Sequence, residues 1–328
     1  MDRRSVLLGA FSELVLIRSG RMTASAEVLD AWDEKIIHLY GGYDRSPVAA
    51  TAVQIRREMP LTQSLMRQGG FSPATTTRLH RVNGRLGALM AACQHDLDDR
   101  PGAVAAFSEA FYHASEARDR PLQGWIRCWQ SSLARKNGDS TRAAVLARDA
   151  VRWSGSASPV AARAAVIEAR AMAALGRKWQ VHERVGLAWR ILGGLSDEQH
   201  GDPGFAVETM HSATLAEMSA AAYIDVGHPD MAGVYADAAL MDLDLSGATG
   251  RRSLIRVSAG TAALWRGDVD QAVSLVNEAL DISMHRPTAP ITARTAQFVR
   301  DARASVGQTA VIEDLEDSLE LKNAVATA

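Results

Sequence analysis

Lysine is close to absent from this chain. Of its 36 basic residues only Lys35, Lys136, Lys178 and Lys322 are lysines, so positive charge is carried almost wholly by guanidiniums. With the abundance of alanine, that bias also fits a high-GC genome. Cysteine is scarce too. Cys93 and Cys128 stand far apart, which excludes a paired zinc spacing or a disulfide framework and suits buried thiols of a reducing compartment. A surplus of charge is also missing. The 36 basic residues face 38 acidic ones, leaving a formal charge of −2 and a pI near 6.5, so no global field draws the chain to nucleic acid or to acidic membranes. No apolar run approaches the roughly eighteen residues of a membrane span. Nor is there a Ser-His-Asp order, a glycine-rich phosphate loop or a zinc spacing. No stretch alternates apolar and polar residues as a half-buried strand does.

What is present is a turn that returns about every forty residues. Its anchors are Asp98, Gly138, Gly176, Gly227, Gly267 and Gly307, with spacings of 40, 38, 51, 40 and 40. Five residues after each stand Ala103, Ala143, Val181, Ala232, Ala272 and Ile312. Twelve after stand Ala110, Ala150, Ala188, Ala239, Ala279 and, in the last copy, Leu319. Small residues seven apart share one face of a helix, two turns apart, and let a neighbouring helix approach closely. Glycine closes one helix in the left-handed conformation, and the Asp or Ser beside it caps the next. A fixed period of this size marks a helical solenoid. The fold expected is all-α, a right-handed superhelix of antiparallel helix pairs.

The turn glycine, the small pair in the second helix and the large apolar residue after it (Phe111, Val151, Trp189, Leu240, Leu280) resemble the tetratricopeptide repeat family. The likeness covers roughly residues 79–321, with six candidate repeats. The family's first-helix Trp-Leu-Gly-Tyr pattern survives only as Gly260 in one copy and Tyr223 in another, and the period exceeds the usual thirty-four or so. The order of a Trp- and Tyr-bearing helix pair followed by Ala- and Arg-rich repeats also resembles the C-terminal half of actinobacterial, Xre-type helix-turn-helix regulators. Segments 2–10, 164–176 and 267–280 carry that likeness. The DNA-binding domain of those regulators has no counterpart in these residues. The resemblance thus implies a cytoplasmic binding protein that acts in transcription regulation through a partner, without sequence-specific DNA binding of its own.

The chain divides into an expected flexible arm (1–25), irregular capping helices (26–78) and a repeat domain (79–328) with an insertion at 193–204. In the cap, Trp32, Ile36, Leu39 and Tyr40 share one face, Pro47 opens a second helix, and Pro60 is expected to kink or stop it. The twin arginines Arg3 and Arg4, before an apolar stretch, offer a second reading, export after cleavage near Ala26. Glu13, Arg18 and Arg21 interrupt that signal. The insertion reads as a loop on one rim of the solenoid.

In repeats of this family the first helix of each hairpin lines the concave surface. Counting back thirteen, ten, six and three residues from the first three anchors gives Arg85 and His95, Trp125, Ser132 and Arg135, then Arg163 and Arg170. The following two repeats give Thr214, Glu217, Ala221 and Ile224, then Leu254, Val257, Thr261 and Leu264. The groove is therefore expected to be basic around Trp125 in its amino-terminal half and apolar in its carboxyl half, with Arg251 and Arg303 off the lining. Such a surface suits a peptide, a protein segment with an acidic end or a small signalling ligand, and is compatible with a homo-oligomer. No cofactor or metal is expected. The pair Glu208 and His211 would share a helix face without a second pair to complete a metal site. The alternatives are an enzyme with a site in the groove or beside 193–204, and an exported scaffold.

Overall fold

The computed structural model describes residues 24–327, and every regular element among them is helical. Two helices come first, α1 (Ala26–Gly42) and α2 (Val48–Gln68). Six hairpins follow. They are α3 (Pro73–Asp96) with α4 (Arg100–Glu116), α5 (Arg120–Lys136) with α6 (Ser140–Ser154), and α7 (Pro159–Ala174) with α8 (Lys178–Gly193). Then come α9 (Ser212–Asp225) with α10 (Pro229–Ser246), α11 (Thr249–Trp265) with α12 (Val269–Ser283), and α13 (Ala289–Val306) with α14 (Ala310–Thr327). Each hairpin packs on itself, and the first helices touch one another in succession from α3 to α13. This is an all-α solenoid with the first helices as its inner row. The twin-arginine opening and nearly all of the expected arm lie outside the described residues. Ser25, at the arm's end, accepts a hydrogen bond from the Val28 N–H and caps α1.

The turn chemistry works as local physics requires. All six anchors occupy the left-handed region, from φ +63° at Asp98 to +88° at Gly267. The next residue then caps the second helix. Asp99, Asp139 and Asp268 accept from the backbone N–H three residues on, at 2.9, 2.9 and 3.1 Å. A further left-handed position, Arg118 at φ +54°, joins α4 to α5 without a glycine.

The repeated small residues are buried. Ala103, Ala110, Ala143, Ala150, Ala188, Ala232, Ala239, Ala272 and Ala279 expose 1% of their surface or less. Ala110, Ala150 and Ala272 face glycines of the first helices, and opposite two of them a side chain would collide. A methyl group on Gly124 would lie 2.7 Å from the Ala150 carbonyl oxygen, and one on Gly260 would lie 2.9 Å from that of Ala272. The α5–α6 and α11–α12 hairpins are thus tightened to near backbone contact.

Of the two outcomes expected at Pro60, a kink or a stop, the stop does not occur: helix α2 runs through it. Pro60 is exposed, so the carbonyl it leaves unpaired faces water instead of the core. The inserted residues 193–204 are mostly exposed and carry a short 3-10 turn (Asp197–Gln199). Just beyond them the chain passes inward, and Phe205 and Val207 join the core shared by α1, α3 and α5. Segment 207–211 is not helical, so Glu208 and His211 do not share a helix face. Glu208 pairs with Arg85, while His211 Nδ1 accepts from the Ala213 N–H at the start of α9.

Ala150→Leu should overpack the α5–α6 seam and cost roughly 1–3 kcal/mol in denaturant unfolding; a neutral result would mean that the helices are not held this close. Arg118→Gly should do the opposite. An ordinary side chain in the left-handed region costs roughly 1–2 kcal/mol and glycine's extra chain entropy about 0.5–1, so a net gain of about 0.5–1 kcal/mol is expected from the same measurement.

Candidate functional site

The inner row curls until its ends meet. Arg286, just before α13, is 2% exposed. Its Nε donates to the Tyr43 carbonyl at 3.1 Å and its Nη2 to Asp96 Oδ2 at 3.0 Å. Its guanidinium also lies over the Tyr43 ring, 4.6 Å from the centroid. Tyr43 OH donates to the same Asp96 oxygen at 2.8 Å. Beside this clasp the Gly250 N–H donates to the Asp44 carbonyl at 3.4 Å, and Arg251 pairs with Asp44 at 3.5 Å. The concave surface thereby becomes the wall of a central cavity of about 380 Å³. A smaller one of about 130 Å³ adjoins it and shares Arg170 and Arg294.

Seven basic side chains line the central cavity: Arg135, Lys136, Arg163, Arg170, Arg251, Arg286 and Arg294. The carboxylates on its wall are Asp44, Asp96 and Glu217, with Asp225 at the junction with the smaller cavity. Each carboxylate is taken by one close guanidinium: Asp96 by Arg286, Glu217 by Arg251 at 3.1 Å, and Asp225 by Arg170 at 2.6 Å. The others reach only what is left. Arg135 stands 3.8 Å from Asp225, and Arg294 stands 3.6 Å from Glu217. Arg163 reaches the Ala206 carbonyl at 3.4 Å.

The protonation equilibria record that surplus. Repulsion from Arg170, then burial, pushes Arg135 down to about 10, and burial followed by repulsion from Arg251 does the same to Arg163. Arg294 is lowered by burial and by Arg170. Lys136 falls to about 7, through desolvation and then Arg294, Arg170 and Arg135. Its residue remains open to the cavity, so the repulsion of three guanidiniums is the sturdier cause. Lys136 Nζ lies 2.8 Å from Nε2 of His95, which burial and Lys136 drive down to about 3 and so keep neutral. Burial opposes charge on Asp225, but Arg170 and Arg135 hold it below the usual carboxylate range. The Cys128 thiol on the wall is pushed up to about 12 by burial and stays protonated. Among the described residues no group of three or more His, Cys, Asp and Glu is placed to hold a metal ion. The arrangement can neutralise an anion.

His95, Ser132, Arg135, Arg163 and Arg170, all indicated by the inward count, line the cavity. Arg85 does not. It pairs with Asp119 at 3.2 Å and with Glu208, and its carbonyl accepts from Tyr40 OH at 2.9 Å. Trp125 is 1% exposed, packed among Tyr40, Trp129 and Phe205, and the indole on the wall is that of Trp129. Arg85 and Trp125 both stand thirteen residues before their anchors, at the level that the cap and Phe205 cover. The carboxyl half, read as apolar, contributes Arg251, Arg286 and Arg294, so Arg251 is on the lining rather than off it. The same count applied to the sixth anchor gives Arg294. Nothing periodic marks Arg286, Lys136 or Phe205.

No protein-family model matches the chain, and no curated protein does. Among solved structures the chain is similar to BtubC (BKLC) from P. vanneervenii. The identity is 18% and the TM-score 0.48, over 72% of this chain and 90% of that one. A likeness at that level bears on neither partner nor activity.

Lys136 gives the site a pH signature. Its ordinary value is 10.5, so between about 7 and that value the unfolded chain holds a proton that the folded one has released. Stability attributable to Lys136 therefore rises with pH across this interval, and its cost is fully present below pH 7. Of its neighbours, His95 at about 3 and Arg135 at about 10 do not titrate between pH 6.5 and 8.5. Thermal unfolding of wild type should gain over this range relative to Lys136→Met; parallel profiles would show that the ammonium is not repelled.

Proposed function

We propose that this protein is a non-enzymatic binding module whose ring-closed centre captures a compact anionic ligand. The observation that carries the reading is the convergence of seven basic side chains, Arg135, Lys136, Arg170 and Arg294 among them, on a wall whose carboxylates are Asp44, Asp96 and Glu217, with Asp225 beside it. Cations gathered out of bulk water without matching anions cost stability. An arriving anion relieves that cost, and guanidinium forks suit carboxylates and phosphates. The volume, near the lower end of small-molecule sites of about 300–1,000 Å³, and the closed ring favour a compact ligand over a long extended peptide.

The turn-and-alanine period supports placing the chain with tetratricopeptide-like regulators that sense a ligand and act through a protein partner. Near-neutral net charge supports a role away from direct duplex reading. None of the described helices is long and apolar enough to cross a membrane.

Titration with citrate, a compact trianion, tests the proposal. Loss of one charge-assisted contact is worth about 1.5–3 kcal/mol, so Arg135→Ala and Arg294→Ala should each weaken binding roughly ten- to a hundredfold. Their ligand-free thermal midpoints should hold or rise, because a repelling charge is gone. Arg303, 54% exposed and paired with Glu316 on α14, is the control. Equal losses for Arg303→Ala, or no stabilisation of wild type by citrate, would sink the anion site.

A further inference from the structure

The aromatic residues of the cavity gather at one level and four of its basic residues at another. The helices α5, α7 and α9 stand side by side in the inner row and run the same way. On them the wall residues recur at matched heights. Trp129, Arg163 and Met218 form one level, and Phe205, from just beyond the insertion, joins it, 6.0 Å from Trp129 between ring centroids. Seven residues further along each helix stand Lys136, Arg170 and Asp225, with Arg135 beside Lys136. At 1.5 Å per residue, the two levels lie about 10 Å apart. Ser132 and Ile167 line the wall between them.

The charge is unequal between the levels. At the apolar level Arg163 is already engaged, with its Nη2 on the Ala206 carbonyl and its Nη1 4.0 Å from the Met218 sulfur. Arg251, its nearest cationic neighbour, is bound to Glu217 and Asp44. At the other level Arg135, Lys136 and Arg170 are joined by Arg294 from α13, facing Asp225 and, 3.6 Å from Arg294, a Glu217 already bound by Arg251. Over the whole wall seven cations face the four carboxylates Asp44, Asp96, Glu217 and Asp225, a surplus of three when Lys136 is protonated and two when it is not.

We infer that the occupant is a small organic anion carrying at least two negative charges at one end and a flat apolar body at the other. Phosphate monoesters and clustered dicarboxylates share that chemistry. The charged end sits among Arg135, Lys136, Arg170 and Arg294, and the body reaches toward Trp129 and Phe205. A monoanion would leave the surplus only partly neutralised. An inorganic dianion would leave the apolar level hydrated, and stacking on an aromatic ring adds about 0.5–1.5 kcal/mol beyond burial.

This inference rests on the reading of the cavity as an anion site, and calorimetric titration of the full chain at pH 8 separates the two. Four probes are used. Phenyl phosphate and phthalate carry two charges on a ring, benzoate carries one on a ring, and sulfate carries two without a ring. Phenyl phosphate or phthalate should bind at least tenfold more tightly than benzoate and sulfate alike, and whichever of the two binds better identifies the headgroup. Trp129→Ala should abolish the advantage over sulfate while leaving sulfate binding intact. Arg294→Gln should weaken the ring dianions more than benzoate. Benzoate equal to both ring dianions, or sulfate equal to both, would overturn the assigned class and leave the anion site standing. Failure of all four probes together with citrate would overturn the site itself. A Trp129→Ala chain that does not fold is replaced by Trp129→Leu, judged on the same ratio of phenyl phosphate to sulfate affinity.

Discussion

Closure of the ring centres on one buried guanidinium. Arg286 ties a loop late in the chain to Tyr43, 243 residues earlier, and to Asp96, 190 residues earlier. The Gly250 N–H and Arg251, both on Asp44, hold the same seam beside it. A buried ion pair is a weak source of net stability, because desolvation consumes most of the Coulombic gain. Here its cost is offset by the Tyr43 carbonyl, by the hydroxyl of the same tyrosine on Asp96, and by the ring face beneath the guanidinium. What such a contact supplies is geometry. It selects, among the curvatures that stacked hairpins can adopt, the one at which the ends touch. The tight seams at Gly124 and Gly260 let the hairpins pack closely enough to reach it.

Closure also creates the electrostatic problem that the cavity carries. In an open groove Arg135, Arg170 and Arg294 would be solvated charges facing water across a wide gap. Brought together around one space, they repel each other and lose hydration, which is why Arg135, Arg294 and Lys136 are displaced from their ordinary values while Asp225 is held ionised. Scattered surface charges rarely do this, since solvent screens them. A wall that concentrates like charge against the interest of folding is better explained by what it binds than by what it stabilises.

The hairpins were legible from the sequence because their determinants are local. A residue able to adopt the left-handed conformation, an Asp to cap the next helix and alanines at fixed distances each act within a dozen residues. The cavity was only partly legible. The inward count found His95, Ser132, Arg135, Arg163 and Arg170, and would have found Arg294 had it been carried to the last anchor. It misplaced Arg85 and Trp125 because the cap and the aperiodic segment after α8 cover their level of the inner surface. It missed Arg251 because the wall drifts along the helices, from three residues before the anchor at His95 to sixteen before it at Arg251. That drift is the pitch of the superhelix, a property of the assembled row that no single repeat encodes.

The same drift explains why the basic residues of the cavity come from opposite ends of their helices. Arg135, Lys136 and Arg170 sit near the carboxyl ends of their helices, whereas Arg251 and Arg294 sit near the amino ends of theirs. Guanidiniums at a helix carboxyl end are favoured by the local dipole, and those at an amino end are not. Arg294 is therefore placed against the field of α13 as well as against Arg170. Its carboxylate partner there is Glu217, 3.6 Å away and already bound by Arg251. An anion held between Arg170 and Arg294 would sit beside the positive end of α13 and reverse both penalties at once.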